Sequence, residues 1–144
     1  MNKKNKKFST KAIHVGQNPE KLYGAVSLPI YLTSTFKQEE FGEYEYDYSR
    51  AGNPTRTNLE DNIASLEKGK EGISFSSGMG AISAIIHLLS SGDEIIFTRN
   101  VYGGTYRIME KIYKNFLIKP KWIDTTDLDA LKSAISKKTK MVYI

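Results

Sequence analysis

The sequence predicts an α/β fold in which an extended N-terminal arm, residues 1–52, leads into the first part of a mostly parallel, helix-flanked sheet, residues 53–144. Three observations predict it. Residues 8–50 are rich in Gly, Pro, Thr and Tyr and show no sustained helical periodicity. From residue 53 onward, short apolar runs bounded by turn residues alternate with stretches at helical spacing. Each connection between those runs is long enough for a parallel crossover.

Within the arm, Tyr44, Tyr46 and Tyr48 alternate as one face of an edge strand would. Asn53 is a natural helix N-cap and Pro54 suits a first turn. Leu59, Ile63 and Leu66 then form an apolar stripe, and Gly69 supplies the stop. "GISFS" at 72–76 reads as a buried strand, and "GMGAISAIIHLLSSG" as a buried helix that packs His87 and ends near Gly92. "EIIFT" at 94–98 is a second buried strand. A helix from about Thr105 to Phe116, a strand around "PKWID", a helix over "LDALKSAIS" and a strand "KMVYI" complete the series. That last strand ends at Ile144 with an apolar edge uncovered, so the chain is expected to be part of a longer protein.

With 40% apolar residues the 144-residue chain suits one globular domain or part of one. No run of about 18 apolar residues suggests a membrane span, and "MNKKNKKFST" lacks the apolar stretch of a secretory signal, which points to a cytoplasmic protein. Having no cysteine, the chain has no disulfide, thiol nucleophile or thiolate metal site. His14 has no partner at metal spacing, so no metal is expected. The net charge of +5 raises nucleic-acid binding, but Lys3, Lys4, Lys6 and Lys7 sit in a polar tail and the other lysines are scattered among acidic residues. A solvated surface explains them better, Lys140 included. The only arginines are Arg50, Arg56, Arg99 and Arg107, so their positions mark places where a rigid, forked donor is needed.

Two segments could carry chemistry. "SFSSGMGAI" puts Ser76, Ser77, Gly78 and Met79 where a strand meets a helix, and the unpaired N–H groups of a helix start bind anions such as phosphate. Such turns also need Gly and Ser for geometry alone, and both readings are open at this point. The segment has neither the Gly-Lys-Ser/Thr of a nucleotide P-loop nor the spaced glycines of a dinucleotide site. "NVYGGTYR" at 100–107 follows a strand on the same edge of the sheet, where ligands of open α/β sheets collect. There Tyr102 could lie on a flat ligand and Arg107 could reach an anion, or Tyr102 and Tyr106 could be partly buried with Arg107 on a helix surface.

In their order, "AIHVGQNPE", "LPIYLTSTFKQ", "YSRAGNPTR", "FSSGMGAI", "GDEII" and "VYGGTYR" resemble the transsulfuration, or Cys/Met metabolism, family of pyridoxal-phosphate enzymes, from about Phe8 to Ile144. Within the family they are most similar to the cystathionine γ-lyase and γ-synthase branch. The resemblance implies the aspartate aminotransferase-like fold, type I among pyridoxal-phosphate enzymes. It implies chemistry at the γ carbon of cystathionine or an O-acyl-homoserine. O-acetylhomoserine sulfhydrylase and methionine γ-lyase are the alternatives inside the family, and a non-catalytic phosphate-binding module is the alternative outside it.

The resemblance also implies roles. Gly78 and Met79 would hold the cofactor phosphate through backbone N–H groups, and Tyr102 would stack on the pyridine ring. Tyr48 and Arg50 would reach the phosphate of a neighbouring subunit's cofactor, while Arg50, Tyr102 and Arg107 would lie near a small amino-acid substrate. A homotetramer of catalytic dimers is implied. No catalytic residue falls in this chain, since the family's Schiff-base lysine would follow residue 144.

Overall fold

A computed structural model describes residues 7–144; Lys3, Lys4 and Lys6 of the basic tail lie outside them. The chain divides into two compact units, one ending at Ser74 and the other spanning Phe75–Ile144.

The first unit holds helices α1 (Phe8–His14) and α2 (Pro54–Leu66). Helix α2 starts as its sequence dictates: Asn53 Oδ1 accepts the Thr55 N–H at 2.8 Å and Pro54 occupies the first turn. Of its apolar residues Ala64 is buried, whereas Leu59 and Ile63 stay about half exposed. Helix α1 lies where the sequence predicts an irregular arm. It has seven residues, too few to be stable alone, since isolated helices need about 12–15. A distant residue caps it: Asn62 Nδ2 lies 3.2 Å from the carbonyls of Lys11 and Ala12 and 2.8 Å from that of Val15. Gly16, at φ +71°, completes the exit, where any Cβ would collide with the Asn58 carbonyl.

From there to residue 52 the arm is irregular, as expected, but the tyrosine strand does not form. Only an isolated bridge joins Tyr48 to Thr35, and Tyr44 and Tyr48 are exposed. Alternation alone does not make a strand when no continuous partner edge exists to pair with it.

The second unit contains helix α3 (Gly78–Ile86), strand β1 (Glu94–Thr98), helix α4 (Gly103–Lys111), strand β2 (Lys119–Ile123), helix α5 (Leu128–Ala134) and strand β3 (Thr139–Tyr143). A short 3₁₀ turn, Tyr113–Phe116, continues α4, so the one helix predicted to reach Phe116 is two pieces. The sheet is parallel in the order β2-β1-β3, with Phe97 facing Trp122 on one side and Tyr143 on the other. Ile95 and Phe97 share a face of β1 and pack with Ile86 of α3 and Met109 of α4.

Three expectations are corrected here. The strand at 72–76 is absent: Ile73 is 74% exposed, and the Ser74 N–H goes to the Glu60 carboxylate at 2.8 Å instead of a ladder. The segment is not one of the three strands of the sheet, and apolar content alone makes no strand without a partner edge to pair with. Helix α3 stops at Ile86 rather than near Gly92. His87 is therefore an exposed helix-end residue instead of a packed one, with Nδ1 2.7 Å from the Ser83 carbonyl and 3.0 Å from the Tyr113 hydroxyl. Lys140 is exposed on β3, as expected. No helix among the described residues is long and apolar enough to cross a membrane.

A polar latch ties the entry edge of the sheet. Glu94 Oε2, at the start of β1, lies 2.7 Å from Lys121 Nζ of β2 and accepts from Ser136 Oγ at 2.6 Å, while Lys121 also donates to the Ala134 carbonyl at 2.8 Å. The bond from Lys121, then that from Ser136, holds the Glu94 carboxyl below its ordinary value of 4.5. Because the folded value is lowered, the stabilisation is present above the unfolded value and is lost as pH falls through the folded one. Thermal unfolding at neutral pH and again below 4.5 checks this: Glu94→Gln should lower the midpoint at neutral pH and shrink the gap to wild type in acid. A gap that is unchanged or wider in acid would contradict the latch.

Candidate functional site

In the second unit, strand β1 runs directly into the segment that starts α4, and α3 packs back along it, so the N-termini of both helices meet beyond the same end of the sheet. Ser77 caps α3, its Oγ accepting the Gly80 N–H at 3.1 Å. The N–H groups of Gly78 and Met79 have no partner among the described hydrogen bonds, as first-turn groups of a helix do not. Gly78 is exposed, and space is open around the position a Cβ would take. The helix dipole adds partial positive charge at this point.

Tyr102 caps α4 through its carbonyl, which accepts the Thr105 N–H at 2.9 Å, and its ring is 66% exposed. The ring is held in place from below. A Cβ at Gly104 would fall 2.5 Å from Tyr102 Cε1 and 2.8 Å from Met79 Sδ, so the ring and the Met79 side chain both close on the bare Gly104 backbone. Gly78, Met79 and Tyr102 are thus brought together. Arg107 is exposed on α4, one turn past Gly103. Its neighbour Tyr106 packs on Trp122 at 5.1 Å between ring centroids, so the helix turns these adjacent residues to different surroundings.

In the first unit, Tyr48 and Arg50 also come together: the Arg50 guanidinium carbon sits 5.0 Å from the centre of the Tyr48 ring, a cation–π contact, and both residues are exposed. The loop bearing them is held by Arg56, Asn53 and Glu60, of which the sequence assigns Asn53 only a capping role, Arg56 only a forked donor without a target, and Glu60 none. Arg56 Nη1 donates to the carbonyls of Ser49 at 3.2 Å and Arg50 at 3.3 Å, and Nη2 to that of Ala51 at 2.8 Å. Asn53 Nδ2 donates to Ser49 Oγ at 2.9 Å and to the Tyr31 carbonyl at 3.1 Å. Glu60 Oε1 lies 3.5 Å from Arg56 Nε and accepts from both N–H and Oγ of Ser74 at 2.8 Å. Burial, the largest influence on Glu60, raises its carboxyl; the two bonds from Ser74 and the charge of Arg56 together outweigh it and hold the group below 4.5. Arginine in a lysine-rich chain was the available signal for Arg56. A second glycine directly after a Tyr-Gly pair was the signal for Gly104.

An open helix start beside a flat, exposed aromatic ring defines a class of site suited to an anionic group attached to a planar ring. The donors present fit pyridoxal phosphate in this respect: N–H groups for the phosphate, and Tyr102 for the pyridine. Residues 9–144 match the Cys/Met metabolism PLP-dependent enzymes, and the chain belongs to that family, whose cofactor is pyridoxal phosphate. Over 137 residues it is 50% identical to a cystathionine β-lyase of Lactococcus lactis subsp. cremoris (strain MG1363), covering 94% of this chain and 36% of that protein. Over 139 residues it is 45% identical to a cystathionine γ-lyase of Bacillus subtilis (strain 168), covering 96% of this chain and 37% of that one. The crystal structure of a cystathionine γ-lyase from Lactobacillus plantarum complexed with L-serine superposes with a TM-score of 0.91 at 45% identity, covering 96% of this chain and 36% of the other. The chain therefore spans little more than a third of the length of these relatives.

Proposed function

We propose that this chain supplies the phosphate grip and the stacking ring of a pyridoxal-phosphate enzyme acting at the γ carbon of cystathionine or an O-acyl-homoserine. The observation that carries the reading is the open α3 start beside the exposed ring of Tyr102, in a chain of this family. When bound, pyridoxal phosphate supplies an electron sink for the carbanion formed on an amino-acid substrate.

The chain's own residues bind and orient. Gly78 and Met79 donate their N–H groups to the phosphate, and the α3 dipole adds to that attraction. Tyr102 covers the ring face and keeps water from it. Arg107 offers a forked donor to an anionic group of the substrate beside Tyr102, and the Arg50 that reaches the same site comes from the neighbouring subunit. Tyr48 and Arg50 act in trans, on the phosphate held by the neighbouring subunit of a catalytic dimer, two such dimers forming a homotetramer. The arm before residue 53 makes the dimer contact, consistent with its irregular backbone and exposed apolar side chains such as Leu22, Val26 and Leu32. The lysine that anchors the cofactor and moves protons lies outside residues 1–144 in this reading, so the chain alone is inactive. The complete enzyme works in the cytoplasm. A second reading, elimination at the β carbon, is favoured by one observation, the 50% identity to the Lactococcus lactis β-lyase.

Two measurements on the complete enzyme test the reading. Tyr102→Ala should weaken cofactor retention and activity, whereas Tyr102→Phe should keep the stacking, worth about 0.5–1.5 kcal/mol; alanine without effect on retention and turnover contradicts the ring's role. For the trans assignment, a subunit carrying Arg50→Ala is mixed with one lacking the cofactor-anchoring lysine, each severely impaired as a homodimer at limiting cofactor. Activity should return in the heterodimer, because the first subunit's site then combines its own lysine with its partner's Arg50. A heterodimer that forms without regaining activity shows that Arg50 acts within its own subunit.

A further inference from the structure

Arg56 stands in an awkward place for a helix. It occupies the third position of α2, where the N–H groups concentrate partial positive charge and a cation is disfavoured. The i,i+4 ion pair it makes with Glu60, with the arginine first, is the weaker orientation and only partly offsets this. Ordinary surface charge does not explain Arg56, since this chain uses lysine for most of its cations and has only four arginines among its 21 basic residues.

What Arg56 does is complete the hydrogen bonding of the loop before the helix. The Tyr48 carbonyl accepts the N–H groups of Ala51 and Gly52, both at 2.9 Å, closing the turn. The next three carbonyls, of Ser49, Arg50 and Ala51, point to the Arg56 guanidinium at 3.2, 3.3 and 2.8 Å. Four consecutive carbonyls are thereby satisfied, three of them by one side chain. The third nitrogen of the guanidinium, Nε, is turned toward Glu60 at 3.5 Å, and Ser74 holds Glu60 in turn through two bonds of 2.8 Å. A planar fork with donors in fixed directions meets these acceptors; a lysine ammonium, with three donors at one point, does not span them.

We propose that Arg56 is a positioning residue: by gripping the carbonyls of Ser49, Arg50 and Ala51 it fixes the loop from which Tyr48 and Arg50 reach the cofactor phosphate. Two exposed side chains on an irregular segment would otherwise have to be ordered when the anion binds, and that ordering entropy would be subtracted from affinity. With the backbone at Arg50 already held and its guanidinium resting on Tyr48 at 5.0 Å, the anion meets an arranged pair. The inference rests on the reading of Arg50 as a phosphate contact.

The test is a double-mutant cycle in the complete enzyme, with the pyridoxal-phosphate dissociation constant of the apo form read by absorbance titration and the unfolding temperature measured alongside. Arg50→Ala should raise the dissociation constant about tenfold, the loss of one charge-assisted contact. Arg56→Lys, which keeps the charge and removes the fork, should raise it by a similar factor, yet add less than about twofold when Arg50 is already alanine. If Arg50→Ala leaves the constant unchanged, the underlying reading of Arg50 is wrong and the inference goes with it. If Arg50→Ala weakens binding while Arg56→Lys does not, or does so equally with and without Arg50, the positioning role alone is overturned and Arg56 serves only the fold. Should Arg56→Lys fail to fold, Glu60→Gln, which loosens the grip on Arg56 from behind, carries the same cycle. It should show the same dependence on Arg50 at smaller amplitude, and equal effects in the two backgrounds overturn the proposal.

Discussion

Strand β1 is the constraint on which the second unit depends. Ile95, Ile96 and Phe97 are fully buried, and the strand is paired on both edges. Side chains alternate along a strand, so Ile95 and Phe97 together face α3 and α4, and a slip of one residue would turn both away from Ile86 and Met109. Burying one such side chain contributes roughly 1.5–3 kcal/mol, enough to hold the register against alternatives. With β1 fixed, the two helices are fixed, and their N-termini converge. The meeting of Met79 and Tyr102 over Gly104 follows from that packing, with no bond between the two residues.

The first unit reaches a comparable result by polar means. Its buried apolar content is small, Ala64 being the one buried hydrophobic residue among those described there. Order comes instead from side chains that satisfy backbone groups at a distance: Asn62 for the end of α1, Asn53 for Tyr31 and the start of α2, Arg56 for the turn at 49–51. Each such bond contributes about 0.5–1.5 kcal/mol, so the arrangement holds as a set rather than through any one donor. A loop built in this way can present Tyr48 and Arg50 without a sheet beneath it.

Much of this was legible in advance where the signal is local. Asn53-Pro54 sets the start of α2 through its own side chain and ring, Ser77-Gly78 sets that of α3, and the three strands of the sheet are short apolar or alternating runs between turns. The ends were less legible: α3 was expected to run on toward Gly92, and nothing local marks Ile86 as its last residue. Elements that depend on a distant partner were missed or misjudged. Helix α1 needs Asn62, some fifty residues away, and the 72–76 segment, strand-like in composition, has no partner strand and gives its Ser74 N–H to the Glu60 carboxylate. The same distinction holds at the site. The order of the motifs along the chain points to the family and its pyridoxal phosphate, whereas the supports Gly104, Arg56 and Glu60 emerge only when the carbonyls and ring they serve are in place.

The central claim is that the cofactor phosphate docks on the N-terminus of α3 with its ring against Tyr102. A crystal structure of the complete enzyme with pyridoxal phosphate bound tests it most directly. The account predicts phosphate oxygens within hydrogen-bond distance, about 2.7–3.2 Å, of the N–H groups of Gly78 and Met79, and the pyridine stacked on the Tyr102 ring. A phosphate held elsewhere, with those two N–H groups facing solvent or protein, would contradict it.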